Sequence, residues 1–291
     1  METPSDAVLL SLRAALPFAV EPLPTPPAPR LPAFSDPRYL AADDQLVALF
    51  GRSRVCESHG VAHGRDVARL AGGALAAHPR PAGAGGLSEE DQLDVLIAAL
   101  WHDGDDRKFF PANADYQNAR AALAGLGLPE DRASRIVRMI SWVSASKNGD
   151  TIPPEAADHP WLLYPRHADR LAATGWTGVY RCWKHTEGIG RPLYTAATPR
   201  AADEEELWGR LATPERYAAY RGDSDSMVDH YYDKLLRLGR DAHGNAFLAA
   251  EAARRARPLI EVALLYGRTG SLPAGLFELA RLAAEKECSA P

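Results

Sequence analysis

From about residue 40 to the C-terminal end, apolar positions recur at the spacing of helices. Leu46, Val47 and Phe50 lead into Gly51. Val61, Val67, Leu70, Ala71 and Leu75 then share one face of a helix expected over 58–77, because residues three and four apart lie side by side. Ser88-Glu89-Glu90-Asp91 carries the chemistry of a helix start. The serine hydroxyl can accept from a free N–H, and the acids complement the positive helix end. That helix runs through Leu93, Val95, Leu96, Ala99 and Leu100 to His102. Further helices are expected over 116–124, 129–143 (with Pro129 as its first residue), 160–174, 179–186, 204–211, 214–220, 226–238, 246–266 and 272–284. Lys147-Asn148-Gly149-Asp150 marks a turn, 79–86 a Pro/Gly loop and 192–200 an extended loop. Alternation with period two is scarce, and the nearest strand candidate is 189–195. The pattern is all-α.

Ahead of this pattern, 5–16 has the spacing of one short amphipathic helix. Eight prolines then fall between Pro17 and Pro37. Their density forbids regular helix and predicts an extended arm, so the chain divides into a proline-rich arm over 1–38 and a single helical domain over 39–291. Composition narrows the function classes. At 291 residues, 46% hydrophobic and 24% charged, the chain can bury a sizeable core. A net charge of −5 gives no basic excess, so bulk nucleic-acid binding is not expected. Cys56, Cys182 and Cys288 are far apart, which speaks against a disulfide framework or a thiolate zinc site and for a reducing, cytoplasmic setting. No run reaches the roughly 18 apolar residues of a membrane span, and the N-terminus lacks the basic start of a secretory signal.

Chemistry concentrates in Ala98-Ala99-Leu100-Trp101-His102-Asp103-Gly104-Asp105-Asp106-Arg107-Lys108-Phe109. An apolar helix here delivers a histidine and three acids at its buried end, and burying such groups without partners is costly. Neighbours on a regular helix point about 100° apart. His102 and Asp103 can converge on one ion only if the helix ends there, and Gly104 offers the backbone freedom to end it. Two more candidates lie elsewhere. His59 and His63, four apart, share a helix face, and one or both could ligate a metal or cap locally. Asp169 sits among Leu162, Leu163, Leu171 and Ala172 and needs a partner, either a metal or the neighbouring Arg166 or Arg170.

Taken in order, His63, His102-Asp103 and Asp169 form the pattern H…HD…D on three separate helices. The pattern resembles the HD-domain superfamily of metal-dependent phosphohydrolases. Ser58-His59-Gly60 with His63 and Val67 is similar to its first motif, and Ala98 to Asp103 to its second. His167-Ala168-Asp169-Arg170-Leu171, Gly175, Gly178-Val179 and Arg181 resemble the DADRLxxxGxxGxxR segment of one branch. Asp229-His230-Tyr231-Tyr232-Asp233-Lys234-Leu235-Leu236 resembles that branch's later HFxEKLL helix. The resemblance covers about 45–265. It implies a compact helical HD bundle, here with extra C-terminal helices and an insertion at about 184–220. It also implies a small-nucleotide substrate, since some members of the branch convert (deoxy)nucleoside triphosphates to monophosphate and pyrophosphate.

Two imidazoles and two carboxylates, His63, His102, Asp103 and Asp169, would leave one divalent ion about two positions for water and a phosphate oxygen. Mixed N/O ligation suits Mn, Co, Ni, Fe or Zn, with Mn favoured, better than Mg. Asp106, near the place of an acid that orients water or protonates the leaving group in the family, is assigned general acid/base work. Lys108 is the first phosphate contact, as a point charge. His59, Lys147, Arg181 and Lys234 are further substrate contacts, and Tyr231 could stack on a base or belong to the core. Four alternatives to hydrolysis or variants of it stay open. These are a non-catalytic nucleotide-binding or regulatory module, a diiron oxygenase, a diiron phosphodiesterase (both drawing on His159 and His167) and an interaction protein working through its arm. Self-association into a homo-oligomer is also open.

Overall fold

The structure, a computed structural model, describes residues 31–53, 55, 60–79, 86–238, 240 and 244–289, without the side chains of 146, 288 and 289. The 5–16 helix and most of the proline-rich arm lie outside the described residues, as does His59. The described residues fall into two compact units, 31–172 with 244–248 and 173–240 with 249–289. Both are helical, and no strand occurs among them.

The first unit carries α1 (Pro37–Gly51), α2 (Val61–Ala76), α3 (Glu89–Trp101), α4 (Gln117–Gly125), α5 (Glu130–Val143) and α6 (Tyr164–Ala172). The arm's last proline is already the first residue of α1, where a missing N–H costs nothing, and Asp36 caps it by accepting from Arg38 N at 2.8 Å. Ser88 Oγ accepts from Asp91 N at 3.1 Å and opens α3. Pro129 is the cap of α5 rather than its first residue. Every residue of α3 from Leu93 to Trp101 is buried, which makes it the central rod. The helices α1, α2, α5 and α6 pack around it.

Three contacts pin α3. The Trp101 indole N–H donates to Ala42 O of α1 at 2.9 Å. Asp94, fully buried, receives Arg132 and Arg135 of α5 at 2.5 Å each. Gly64 of α2 meets the α3 backbone so closely that a Cβ there would stand 2.7 Å from Leu100 O. The far end of α2 is held by the start of the helix Ala246–Thr269. Phe247 fills the space beside Gly73, and Asn245 both caps that helix through Leu248 N (3.1 Å) and donates to Ala74 O (2.9 Å).

In the second unit, α7 (Gly175–Gly188) packs along α9 (Gly275–Ser289), while α8 (Ala246–Thr269) lies between them in sequence. Trp183 stacks on Phe277 with centroids 4.7 Å apart. Glu287 accepts from the free N–H groups of Trp176 (3.1 Å) and Thr177 (3.0 Å) at the start of α7. The 189–195 strand candidate is instead a turn and an extended path. The carbonyls of Pro192 and Leu193 accept from Met227 and Val228 N at 3.1 and 3.0 Å, so this path serves the helix starting at Met227. That helix continues through a π-type turn at Tyr231–Leu235.

His230, on the same element, is pushed down to about 4 by burial, with Lys234, Arg191 and His185 adding to the effect and Asp223 opposing it. In the unfolded chain it titrates near 6.5. Between those values the unfolded state binds the extra proton, so stability is full above about pH 6.5 and falls as pH drops toward 4. The loss should approach 3 kcal/mol, roughly. Urea unfolding at pH 7 and pH 4.5 should show it, and His230→Gln should flatten the dependence.

Candidate metal centre

Three elements of the first unit deliver side chains to one point. His63 stands at the third residue of α2, His102 caps the C-terminal end of α3 with Asp103 in the turn after it, and Asp169 lies on α6. Asp169 Oδ1 is 3.3 Å from His63 Nε2 and 3.4 Å from His102 Nε2. Asp103 Oδ2 is 3.4 Å from His102 Nε2 and 3.8 Å from His63 Nε2. The rings of the two histidines are 5.0 Å apart at 74°. Charge-assisted hydrogen bonds run shorter, near 2.8 Å. Donor atoms placed about 2.0–2.2 Å from a common ion would be separated by roughly 3.0–3.5 Å, which three of these four distances match.

Local structure explains the convergence. His102 Nδ1 lies 2.8 Å from Ala99 O, one turn back. A carbonyl only accepts, so Nδ1 carries a proton and Nε2 is left to face the centre. That Nε2 is buried and has no hydrogen-bond partner. Gly104 is needed for room rather than for a left-handed backbone, since its φ is not positive. A Cβ there would stand 2.7 Å from the Trp101 indole. The arginines beside Asp169 turn away from it. Arg166 donates to Trp142 O (2.7 Å) and Thr151 O (2.8 Å). Arg170 pairs with Asp150 (2.6 Å) and donates to Gly149 O. Asp169 is thus left to the histidines.

The electrostatics follow from this packing. Burial opposes charge on His102, but Asp103 and Asp169 outweigh it and hold the imidazole well above its usual value. Burial likewise opposes charge on Asp169, yet the two histidines hold it well below the carboxylate range. A protonated imidazole would offset part of the charge of the two carboxylates, which is the task a cation would take over on binding. The imidazoles are buried while Asp103 and Asp169 are 18% and 27% exposed, so the centre opens on its carboxylate side. An orphaned Nε2, the donor spacing and the N/O donor set all fit a metal ion, and His63, His102 and Asp169 form a group that could hold one. Neither diiron candidate joins this group: His159 is exposed with its ring 6.3 Å from Trp161, and His167 is buried on α6.

The other candidates are spread out. Asp106 accepts from Lys108 N at 2.9 Å, which folds the loop beyond the ligands, and the Lys108 side chain is exposed. Lys147 is exposed with its ammonium 6.0 Å from the Tyr116 ring. Arg181, Tyr231 and Lys234 belong to the second unit. There Tyr231 is fully buried with no partner for its hydroxyl, and the Lys234 ammonium lies 5.8 Å from the Tyr220 ring. Asp105 has a role that no short-range signal shows. Its carboxylate accepts from Asn118 N (2.9 Å), Ala119 N (2.9 Å) and Asn113 Nδ2 (2.8 Å), so it caps α4 from a distance in sequence. This clamp helps hold Asp115 and Tyr116 at φ 51° and 57°, a conformation that costs a residue with a side chain roughly 1–2 kcal/mol.

Gly64 sits next to His63 and faces Leu100, two residues before His102, so it sets how closely the two histidine-bearing helices approach. Gly64→Ala should push them apart. It should cost about 1–3 kcal/mol in urea unfolding and weaken divalent-metal binding in calorimetry.

Fold and site together define an all-helical protein with, among the described residues, one largely buried His–His–Asp group that could hold a metal ion. No helix among the described residues is long and apolar enough to cross a membrane. The chain belongs to the family of the uncharacterized protein L803 of Acanthamoeba polyphaga mimivirus, to which it is 36% identical over 192 residues, 60% of this chain and 77% of the viral protein. No family model matches it. Among solved structures it is similar in fold to a structural-genomics target from Lactobacillus plantarum (TM-score 0.53, 22% identity, 77% of this chain and 92% of that one). It is similar too to the Lin1889 protein of Listeria innocua (TM-score 0.51, 14% identity, 81% and 99%) and to Bacillus subtilis YpgQ (TM-score 0.50, 20% identity, 82% and 98%).

Proposed function

We propose that the protein is a cytoplasmic, HD-type, metal-dependent hydrolase of phosphoanhydride or phosphoester bonds in a small nucleotide. Conversion of a (deoxy)nucleoside triphosphate to monophosphate and pyrophosphate is the first reaction to test. One observation carries the reading: four residues in the order H…HD…D, scattered over more than 100 residues, meet so that each histidine Nε2 lies 3.3–3.8 Å from both carboxylates. His63, His102, Asp103 and Asp169 would hold a divalent ion, manganese by preference for mixed N/O ligation. When bound, such an ion supplies a water of lowered pKa and neutralises a phosphoryl oxygen.

The chain's own residues would do the rest. Asp106, oriented by the Lys108 N–H, takes the proton of the attacking water or delivers one to the leaving oxygen. The exposed Lys108 ammonium meets a phosphate. A nucleotide panel assayed with Mn²⁺, Co²⁺ and Mg²⁺, with products identified as phosphate or pyrophosphate, tests this. Metal-stimulated turnover of at least one nucleotide is expected. Nucleotide binding without product under all three ions would replace the hydrolase with a non-catalytic nucleotide-binding module.

A further inference from the structure

Two residues beyond the candidate ligand Asp103, the chain forms an open concavity, of whose lining residues the hydrolytic reading uses Lys147 alone. Asp105, Arg107, Asn113, Asp115, Tyr116 and Lys147 line it. Consecutive Cα atoms are about 3.8 Å apart, so Asp105 Cα lies within about 7.6 Å of Asp103 Cα. One wall of the concavity is therefore carried by the same short turn as Asp103.

Its charged groups are not equivalent. Both acids are engaged inside the loop. Asp105 is consumed by Asn113, Asn118 and Ala119, and Asp115 pairs with Arg120 at 3.2 Å. Neither base has a carboxylate partner among the described residues. Arg107 is exposed without an ion pair, and Lys147 has only the Tyr116 ring. Two uncommitted cations thus flank a phenol. Burial first, and then Asp105, keep that phenol above its usual value despite Arg107, so it remains a hydrogen-bond donor. The residue carrying it is held in the left-handed region by the Asp105 clamp and by Arg120, whose side chain donates to Asp115 O at 2.9 Å. Strain retained in this way fixes a side chain where a flexible loop would not.

A ligand with several anionic oxygens, and not a single carboxylate, matches two separated cations and a hydroxyl donor. We propose that this concavity is a polyphosphate subsite, in which Arg107 and Lys147 hold the phosphates of the nucleotide that lie beyond the one at the metal centre, while Tyr116 donates its hydroxyl to them. The inference rests on the nucleotide reading above and deepens it. It makes the protein selective for di- and triphosphates over monophosphates.

The test is calorimetry on the full chain with EDTA present, using tripolyphosphate, a nucleoside triphosphate and the matching monophosphate as probes. Arg107→Ala and Lys147→Ala should each weaken tripolyphosphate and triphosphate binding about tenfold, the weight of one charge-assisted hydrogen bond. Monophosphate should bind far more weakly than either. Arg138→Ala, which removes an equal charge already paired with Glu155 at 2.7 Å, controls for net charge and should stay within about twofold. Tyr116→Phe should reproduce part of the loss. Tripolyphosphate affinities of the Arg107 and Lys147 variants equal to that of the unaltered chain overturn the subsite, and turnover in the nucleotide panel would then leave the hydrolase standing without it. Binding that depends on Arg107 and Lys147, with no turnover under any metal, keeps the polyphosphate site and removes the hydrolase.

Discussion

His102→Ala is expected to abolish stoichiometric binding of manganese and cobalt, and with it any metal-stimulated turnover. His102 Nε2 is buried, lies 3.4 Å from both carboxylates and has its orientation set by Ala99 O. Loss of a residue that merely orients a metal ligand costs 10–100-fold in affinity as a rule, so loss of a ligand should cost about 100-fold or more. Asp169→Asn should behave alike, because it removes the charge that pairs with both imidazoles. Asp106→Asn should separate the roles, leaving metal affinity within about twofold while slowing turnover about 10²–10⁴-fold, as expected for a lost proton donor or acceptor. Elemental analysis and calorimetry read the first effect, steady-state kinetics the second. Full metal occupancy in both His102→Ala and Asp169→Asn would sink the site.

The second large effect is on stability. Asp94→Ala should cost about 3–5 kcal/mol in urea unfolding. The carboxylate is fully buried on the central helix α3, and two guanidinium groups of α5 converge on it. Removing it strands Arg132 and Arg135, although Arg135 keeps Asp91 at 2.9 Å and Arg132 keeps Glu90. Replacing Asp94, Arg132 and Arg135 together by apolar residues of similar size should recover much of the loss, because no buried charge is then left unpaired. A cost below 1 kcal/mol, roughly, for the single change would show that water reaches the pair.

Legibility along the chain divided by the range of the interaction. Ser88 and its acids marked the start of α3, since capping acts within one turn. Helical periodicity marked α2, α3 and α5, since each buries a face. The order of His63, His102, Asp103 and Asp169 suggested a shared site, but adjacency in space was an inference from resemblance until α2, α3 and α6 were seen packed together. Gly104 reads in sequence as a backbone release, whereas in the fold it is a clearance beside Trp101, because steric contact depends on where an indole folds back. Asp105 looked like one more acid in a polar run. It caps a helix whose first residue is 12 positions further on, and such a partner leaves no local trace. The pairing of Asp169 with Arg166 or Arg170 is equally open in sequence, and packing sends both arginines elsewhere.

The sequence by itself determined the helices, because propensity, capping and apolar spacing act within a few residues. It also determined the inventory of groups able to bind a metal and a phosphate. Only the tertiary structure decided which of these groups meet. It set Nε2 of His102 between two carboxylates, spent Asp105 on α4, and left Arg107 and Lys147 without acid partners among the described residues. The physical reason is that such pairings are made across helices, by close approaches like that of Gly64 to Leu100, and their energies depend on distance and burial, which no residue carries alone.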